Sequence, residues 1–141
     1  MAAFCYNERI LDHFRSPRNV GEIADADGVG HVGDPDCGDY VRMWIKVDAD
    51  QRLSDVKFRC RGCPAAVACA SITTELATGK TLDEASEITD EVVGEALGGL
   101  PEDKRHCSNL AADALYRAIL DHIVRSCDPG HKRVDAREGA E

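Results

Sequence analysis

Two stretches in which apolar and polar residues alternate constrain the fold of this chain most. The first runs from Tyr40 to Val47, and the second covers the residues around Val56 to Cys60. Alternation with a period of two places the apolar side chains on one face of a strand. A turn-like segment from Asp48 to Gln51 separates the stretches. The sequence therefore predicts two half-buried strands that pair antiparallel as a hairpin.

Helical spacing predicts one helix before this hairpin and one directly after it. The first is short and ends near Arg15, because Ser16-Pro17 breaks its apolar pattern. The second begins at Pro64, since a proline at the first helical position lacks only an amide hydrogen that would have no partner there. Its apolar stripe stops at Gly79.

Further helices are predicted in the carboxyl-terminal half. Thr81 fits the start of a capping box, and another short helix lies near Thr89 to Leu97. A long amphipathic helix begins close to Cys107. We expect the glycine- and aspartate-rich stretch from Asn19 to Gly38 to be mostly loop, and the polar residues 127–141 to be disordered. Residues 1–126 then form one α+β domain, with helices on one face of a small antiparallel sheet.

Composition narrows the class of function. The chain has 141 residues, of which 43% are hydrophobic, and this suits one domain that folds without a disulfide or a metal. Its 17 basic and 26 acidic side chains give a net charge of −9, so nucleic acid and anionic membranes are poor partners. The residues from Met1 to Ile10 lack the apolar core of a secretion signal, and we expect a cytoplasmic protein.

Seven cysteines indicate thiol or metal chemistry. The number is odd, which excludes a fully paired disulfide framework, and reduced thiols are expected in the cytoplasm. Cys37 lies in a predicted loop, whereas Cys63 and Cys107 lie at predicted helix starts, where backbone amides stabilise a thiolate. Asp39 and His106 add possible ligands nearby. Together these five residues predict an open metal or cluster site that the fold must assemble from distant segments.

The other cysteines have simpler interpretations. Cys60 shares a strand face with apolar residues, and Cys69 lies on an apolar helix stripe, so both are expected in the core. The C-x-x-C spacing of Cys60 and Cys63 is therefore only weak evidence for a redox or zinc motif. Nothing near Cys5 or Cys127 supports a role for either.

The pair His106-Cys107 disfavours a cysteine hydrolase, because adjacent side chains are expected to diverge. His106 fits better as a metal ligand or as a proton donor to a bound sulfur species. The remaining histidines have no such context and are interpreted as ordinary polar residues, namely His13, His31, His122 and His131.

Several short motifs, in order along the chain, resemble the IscU/NifU-type iron-sulfur cluster assembly scaffolds. The resemblance extends from about Tyr6 to Ile123. It rests on Tyr6-Asn7-Glu8, Leu11-Asp12-His13-Phe14, Pro17-Arg18-Asn19-Val20-Gly21, Cys37-Gly38-Asp39, Gly62-Cys63, Thr74-Glu75, Gly79-Lys80 and His106-Cys107-Ser108. It implies a three-stranded antiparallel sheet, with a third strand around Gly28 to Gly33 that the alternation does not predict.

The resemblance also implies the role of each site residue. Cys37, Cys63 and Cys107 would ligate a transient 2Fe-2S cluster, with Cys107 accepting sulfur from a cysteine desulfurase. Asp39 would keep the cluster labile and His106 would be an alternative ligand, since an oxygen or imidazole ligand gives a more exchangeable site than a fourth thiolate. The expected cargo is iron and sulfide, delivered to apo iron-sulfur proteins. The protein would thus be a scaffold rather than an enzyme.

The implied partners are a cysteine desulfurase, apo iron-sulfur proteins, ferredoxin or another electron donor, and a second copy in a homodimer. A dedicated heat-shock chaperone is not expected, because Leu100-Pro101-Glu102 stands where related scaffolds carry Leu-Pro-Pro. Two alternatives stay open. The first is a zinc-binding sulfur-transfer protein that uses the same cysteines. The second is a purely structural metal domain, which would normally show two short-spaced cysteine pairs, whereas this chain has one weak pair.

Overall fold

The computed structural model describes residues 7–33, 40–100 and 105–127. Three strands, β1 (Gly28–Gly33), β2 (Tyr40–Val47) and β3 (Leu53–Arg61), form an antiparallel sheet in the order β1-β2-β3. The helices are α1 (Glu8–Arg15), α2 (Pro64–Ala77), α3 (Leu82–Ser86), α4 (Asp90–Ala96) and α5 (Arg105–Cys127). The predicted α+β class and the three-stranded sheet are confirmed.

Local signals set most of the helix boundaries. The Asn7 side chain caps α1 by accepting a hydrogen bond from the Ile10 amide at 2.9 Å. Pro64 is the first residue of α2, as predicted. Thr81 and Glu84 form the predicted capping box of α3, each side chain accepting from the other residue's amide. These boundaries follow from short-range backbone hydrogen bonding that the sequence makes visible.

Strand β1 corrects the prediction of a mostly irregular segment from Asn19 to Gly38, and it confirms the strand that the resemblance implied. Its glycines hide the alternation because α5 lies directly against them. A Cβ atom on Gly28 would overlap the carbonyl oxygen of Ala118, and one on Gly30 would overlap that of Ala114. Glycine thus allows the helix backbone to approach the strand backbone closely.

Polar contacts reinforce this packing of α5 on β1. The Asp121 carboxylate accepts a hydrogen bond from the Val29 amide at 2.9 Å and pairs with Arg125 at 3.0 Å. Both side chains of this ion pair are 12% exposed, so the pair is largely shielded from solvent. The carboxyl-terminal half of α5 is therefore fixed to the edge strand of the sheet.

The core lies between the sheet and the helices α1, α2, α4 and α5. Its largest fully buried members include Ile10, Met43, Ile45, Leu53, Val56, Phe58, Leu97, Leu115 and Ile119. The prediction that β2 is only half-buried is wrong at its centre, because Arg42 and Trp44, on the opposite face, are 7% and 2% exposed. None of the helices among the described residues is long and apolar enough to cross a membrane.

Candidate functional site

Cys63 lies at the junction between β3 and α2. It is the N-cap residue of α2, with extended backbone angles (φ −70°, ψ 168°), and its side chain makes no capping hydrogen bond. The residue is half-buried. A strand that ends at Arg61 and a proline that starts the helix at position 64 leave this side chain at the turn. Its sulfur is consequently free to face a neighbouring element.

That neighbouring element is the amino-terminal turn of α5. Cys107 is the third residue of α5 and is 1% exposed. Its Sγ lies 3.6 Å from the Sγ of Cys63, although the two residues are 44 positions apart. The packing of α2 against α5 therefore brings two of the predicted site cysteines into contact at two helix amino termini, where the helix dipoles favour negative charge.

His106 differs from the sequence-based expectation. Its Nε2 lies 3.6 Å from the Cys107 Sγ, so the adjacent imidazole and thiol meet instead of diverging. His106 is exposed, whereas Cys107 is buried. An exposed imidazole is thus in contact with a buried sulfur, at a distance at which the two groups could share a proton or a metal ion.

Cys69 occupies the core, as predicted. It is fully buried in α2, and this desolvation, together with the negative charge that Cys107, Cys63 and Cys60 would carry, raises the pKa of its thiol far above the usual value. Cys60 is half-buried and packs against the core, in register with Val41. Cys69 is therefore a neutral thiol next to the site, a poor nucleophile and a poor metal ligand.

Two predicted ligands, Cys37 and Asp39, lie outside the described residues, as do Cys5 and the tail from residue 128 onward. Within residues 7–33, 40–100 and 105–127 no group of three His, Cys, Asp or Glu side chains is arranged to hold a metal ion. The contact of Cys63, Cys107 and His106 is thus the part of the predicted site that the structure describes. A complete ligand set needs at least one more donor.

His13 is a buried polar residue that the sequence interpretation missed. Its Nδ1 lies 2.7 Å from the Ser71 hydroxyl, and its Nε2 lies 3.5 Å from the Glu75 carboxylate. Ser71 also accepts a hydrogen bond from the Arg18 amide at 2.9 Å. Burial lowers the pKa of His13, so the ring is held neutral and links α1 to α2. Its spacing of three from Ile10, also buried, is the signal that could have revealed it.

A cleft of about 820 Å³ opens between α4 and the start of α5. Its polar lining includes the acidic Asp90, Glu91 and Glu95 together with Arg105 and Ser108, while neither Cys63 nor Cys107 lines it. The sulfur contact is therefore not part of the lining of this cleft.

Residues 5–128 match the protein family described as the NifU-like N terminal domain. This match covers most of the 141 residues and includes both cysteines of the sulfur contact. The chain belongs to the NifU-like N-terminal domain family. Membership confirms the resemblance found in the sequence motifs, and it agrees with the sheet and helix arrangement.

Two scaffold proteins are similar to this chain over most of their own length. The chain is 59% identical over 121 residues to the iron-sulfur cluster assembly scaffold protein IscU 1 of Archaeoglobus fulgidus, covering 86% of this chain and 78% of that protein. It is 44% identical to the IscU scaffold protein of Haemophilus influenzae, covering 85% and 97% of the two chains. The fold matches the amino-terminal part of a NifU-like protein from Brucella abortus with a TM-score of 0.67 at 22% identity, covering 86% and 96%.

Proposed function

We propose that this protein is a scaffold on which a labile 2Fe-2S cluster is assembled and from which it is transferred to apoproteins. Iron and persulfide sulfur, the latter from a cysteine desulfurase, are its substrates. Cys37, Cys63 and Cys107 are the proposed cluster ligands, and Cys107 is the proposed persulfide acceptor. The observation that carries this proposal is the 3.6 Å contact between the Sγ atoms of Cys63 and Cys107.

This sulfur separation suits a shared metal ion. Two thiolates bound to one tetrahedral ion through bonds of about 2.3 Å lie about 3.8 Å apart. The contact of 3.6 Å is close to that spacing, so one iron ion needs little movement of either side chain to bind both sulfurs. The names of the IscU relatives support the same cargo.

The fourth position is proposed to hold a weaker ligand than a thiolate. Asp39, as an oxygen ligand, or His106, whose Nε2 lies 3.6 Å from the Cys107 Sγ, would make the cluster easier to release. Asp39→Ala is then expected to lengthen cluster lifetime, measured as the decay of visible absorbance under air. Decay in this variant at the parent rate, or faster, would remove Asp39 from the proposed role.

Anaerobic reconstitution tests the scaffold proposal. The apoprotein is incubated with ferrous iron, cysteine, a cysteine desulfurase and a dithiol that reduces the persulfide sulfur to sulfide. Sulfur-to-iron charge-transfer absorption is then recorded. We expect the parent and Cys127→Ser to develop the bands, since Cys127 is exposed at the far end of α5, whereas Cys63→Ser and Cys107→Ser do not. Equal absorption in Cys63→Ser and the parent, or none in the parent, would overturn the proposal.

A zinc-binding sulfur-transfer protein is the second candidate, because thiolates and an imidazole, the groups that meet at Cys107, are also preferred ligands of zinc. Metal analysis after anaerobic purification distinguishes the candidates. Stoichiometric zinc that iron and sulfide fail to displace would favour the second candidate, whereas exchange for iron supports the scaffold.

The compartment and the partners of this protein are proposed from its cysteines, its cargo and its charge. None of the five cysteines in the described part of the chain is in a disulfide, which suits a reducing compartment, and we propose the cytoplasm. The partners would be the cysteine desulfurase, the recipient apoproteins, an electron donor such as ferredoxin and a second copy of the chain. The acidic charge of −9 makes nucleic acid and anionic membrane improbable partners.

A further inference from the structure

The sulfur atoms of Cys63 and Cys107 are in direct contact. The sulfur atoms are 3.6 Å apart, and a disulfide bond is about 2.05 Å long. A small side-chain rotation would close this difference. Cys63 has the freedom for this rotation, because its side chain is half-buried and holds no capping hydrogen bond on α2. The Cys107 sulfur is buried and contacts both this neighbour and His106.

We propose that Cys63 resolves a persulfide carried by Cys107 and so releases its sulfur as sulfide. This inference rests on the proposed function, which supplies the persulfide. The Cys63 thiolate attacks the inner sulfur, the Sγ of Cys107, in line with the bond to the outer sulfur. A disulfide forms between Cys63 and Cys107, the persulfide bond breaks, and its electron pair leaves with the outer sulfur as hydrosulfide.

The atoms and electrons of this step balance without an outside reductant. The outer, sulfane sulfur gains two electrons and leaves at the oxidation level of sulfide. The two cysteine sulfurs supply those electrons as they become a disulfide. The scaffold is then restored by a dithiol reductant or another two-electron donor, which acts on the protein disulfide and not on the persulfide.

The structure favours Cys63 over the other described cysteines as the attacking group. Cys69 is fully buried, and desolvation raises the pKa of its thiol, so it lacks the thiolate that the reaction requires. Cys60 lies within the paired part of β3 and packs against the core, so its side chain is held in the sheet. Cys127 lies 20 residues along α5 from Cys107, a distance of about 30 Å at 1.5 Å per residue.

The test is a single turnover in the absence of metal and thiol reductant. Apoprotein is loaded anaerobically by a cysteine desulfurase and one equivalent of cysteine, or separately by inorganic polysulfide, then gel-filtered in chelator. Intact mass and free sulfide are followed with time. The parent is expected to pass from a mass gain of about 32 Da to a loss of about 2 Da, releasing one sulfide per chain. Peptide mapping should find residues 63 and 107 joined.

Cys63→Ser is expected to hold the added sulfur on Cys107 at least tenfold longer, with little sulfide released. Serine is a favourable N-cap residue, so α2 should remain intact, and Cys63→Ala gives a second variant without a hydroxyl. The fluorescence of Trp44, which is buried in the sheet, checks that each variant is folded. Cys60→Ser and Cys127→Ser are matched controls expected to release sulfide at the parent rate, and Cys37→Ser tests whether Cys37 is the attacking group instead.

The outcomes separate this inference from the proposed function. A persulfide equally long-lived in the parent and in Cys63→Ser would overturn the resolving role and leave the scaffold proposal intact. Release that depends on Cys37 instead of Cys63 would do the same. If polysulfide loading leads to the disulfide but the desulfurase fails to load Cys107, the resolving step stands and the proposed desulfurase partnership fails. No sulfur on Cys107 from either donor would overturn both.

Discussion

The close contact of β1 with α5 predicts that Gly30→Ala destabilises the protein by about 2 kcal/mol. The added Cβ would overlap the carbonyl oxygen of Ala114 and press on the amide nitrogen of Ala118. Both atoms belong to the helix backbone, so no side-chain rotation relieves the overlap, and α5 must move away from the sheet. Overpacking of this kind costs about 1–3 kcal/mol.

The backbone conformation adds no penalty at this position, because Gly30 is not among the residues with positive φ. Alanine in place of glycine even recovers about 0.5–1 kcal/mol of chain entropy. The steric term exceeds this gain because two backbone atoms are involved. For a protein of this size, a net loss of about 2 kcal/mol lowers Tm by roughly 4–8 °C.

Urea unfolding followed by the fluorescence of the only tryptophan, Trp44, gives the measurement. The matched control is Gly94→Ala in α4, where, among the described residues, the nearest atom that a Cβ would meet belongs to Leu100 at 3.9 Å. Helix propensity predicts that this control gains about 0.5–1 kcal/mol. Stability of Gly30→Ala equal to or above that of the parent would refute the argument that glycine is needed for close packing.

The same substitution also tests the link between fold and site. α5 carries Cys107, so a shift of this helix should lengthen the contact with Cys63 and slow disulfide formation between them. Gly28→Ala acts on the same helix through Ala118. Because one displacement of α5 relieves both overlaps, the double variant should lose less stability than the sum of the two single variants.

Three further predictions concern other parts of the chain. Thr81→Ala removes the capping box of α3 and should lower the unfolding free energy by about 1 kcal/mol in urea titrations. Burial lowers the pKa of His13, so the unfolded chain binds a proton at this residue before the folded chain does. The unfolding free energy should therefore fall as the pH drops below about 6.5, and this fall should be smaller in His13→Gln. Pulsed iodoacetamide labelling with mass mapping should modify exposed Cys127 quickly and buried Cys69 only after unfolding, and equal rates would contradict the burial of Cys69.

Elements with local signals could be predicted from the amino-acid sequence. The β2–β3 hairpin follows from its alternation, α2 from Pro64, and α3 from the capping box at Thr81. The sequence also predicted that Cys63 and Cys107 share one site. The structure places their sulfur atoms 3.6 Å apart, whereas their role as ligands stays a prediction. The roles of Cys37 and Asp39 stay predictions.

Tertiary structure decided the features that depend on distant neighbours. β1 contains glycines because α5, more than 70 residues later, packs on it, and no pattern within β1 expresses that contact. The burial of His13 depends on Ser71 and Glu75, which lie on another helix. The approach of His106 to Cys107 depends on side-chain placement at the start of α5. Local patterns fix backbone conformation, whereas these contacts exist only after the helices have packed on the sheet.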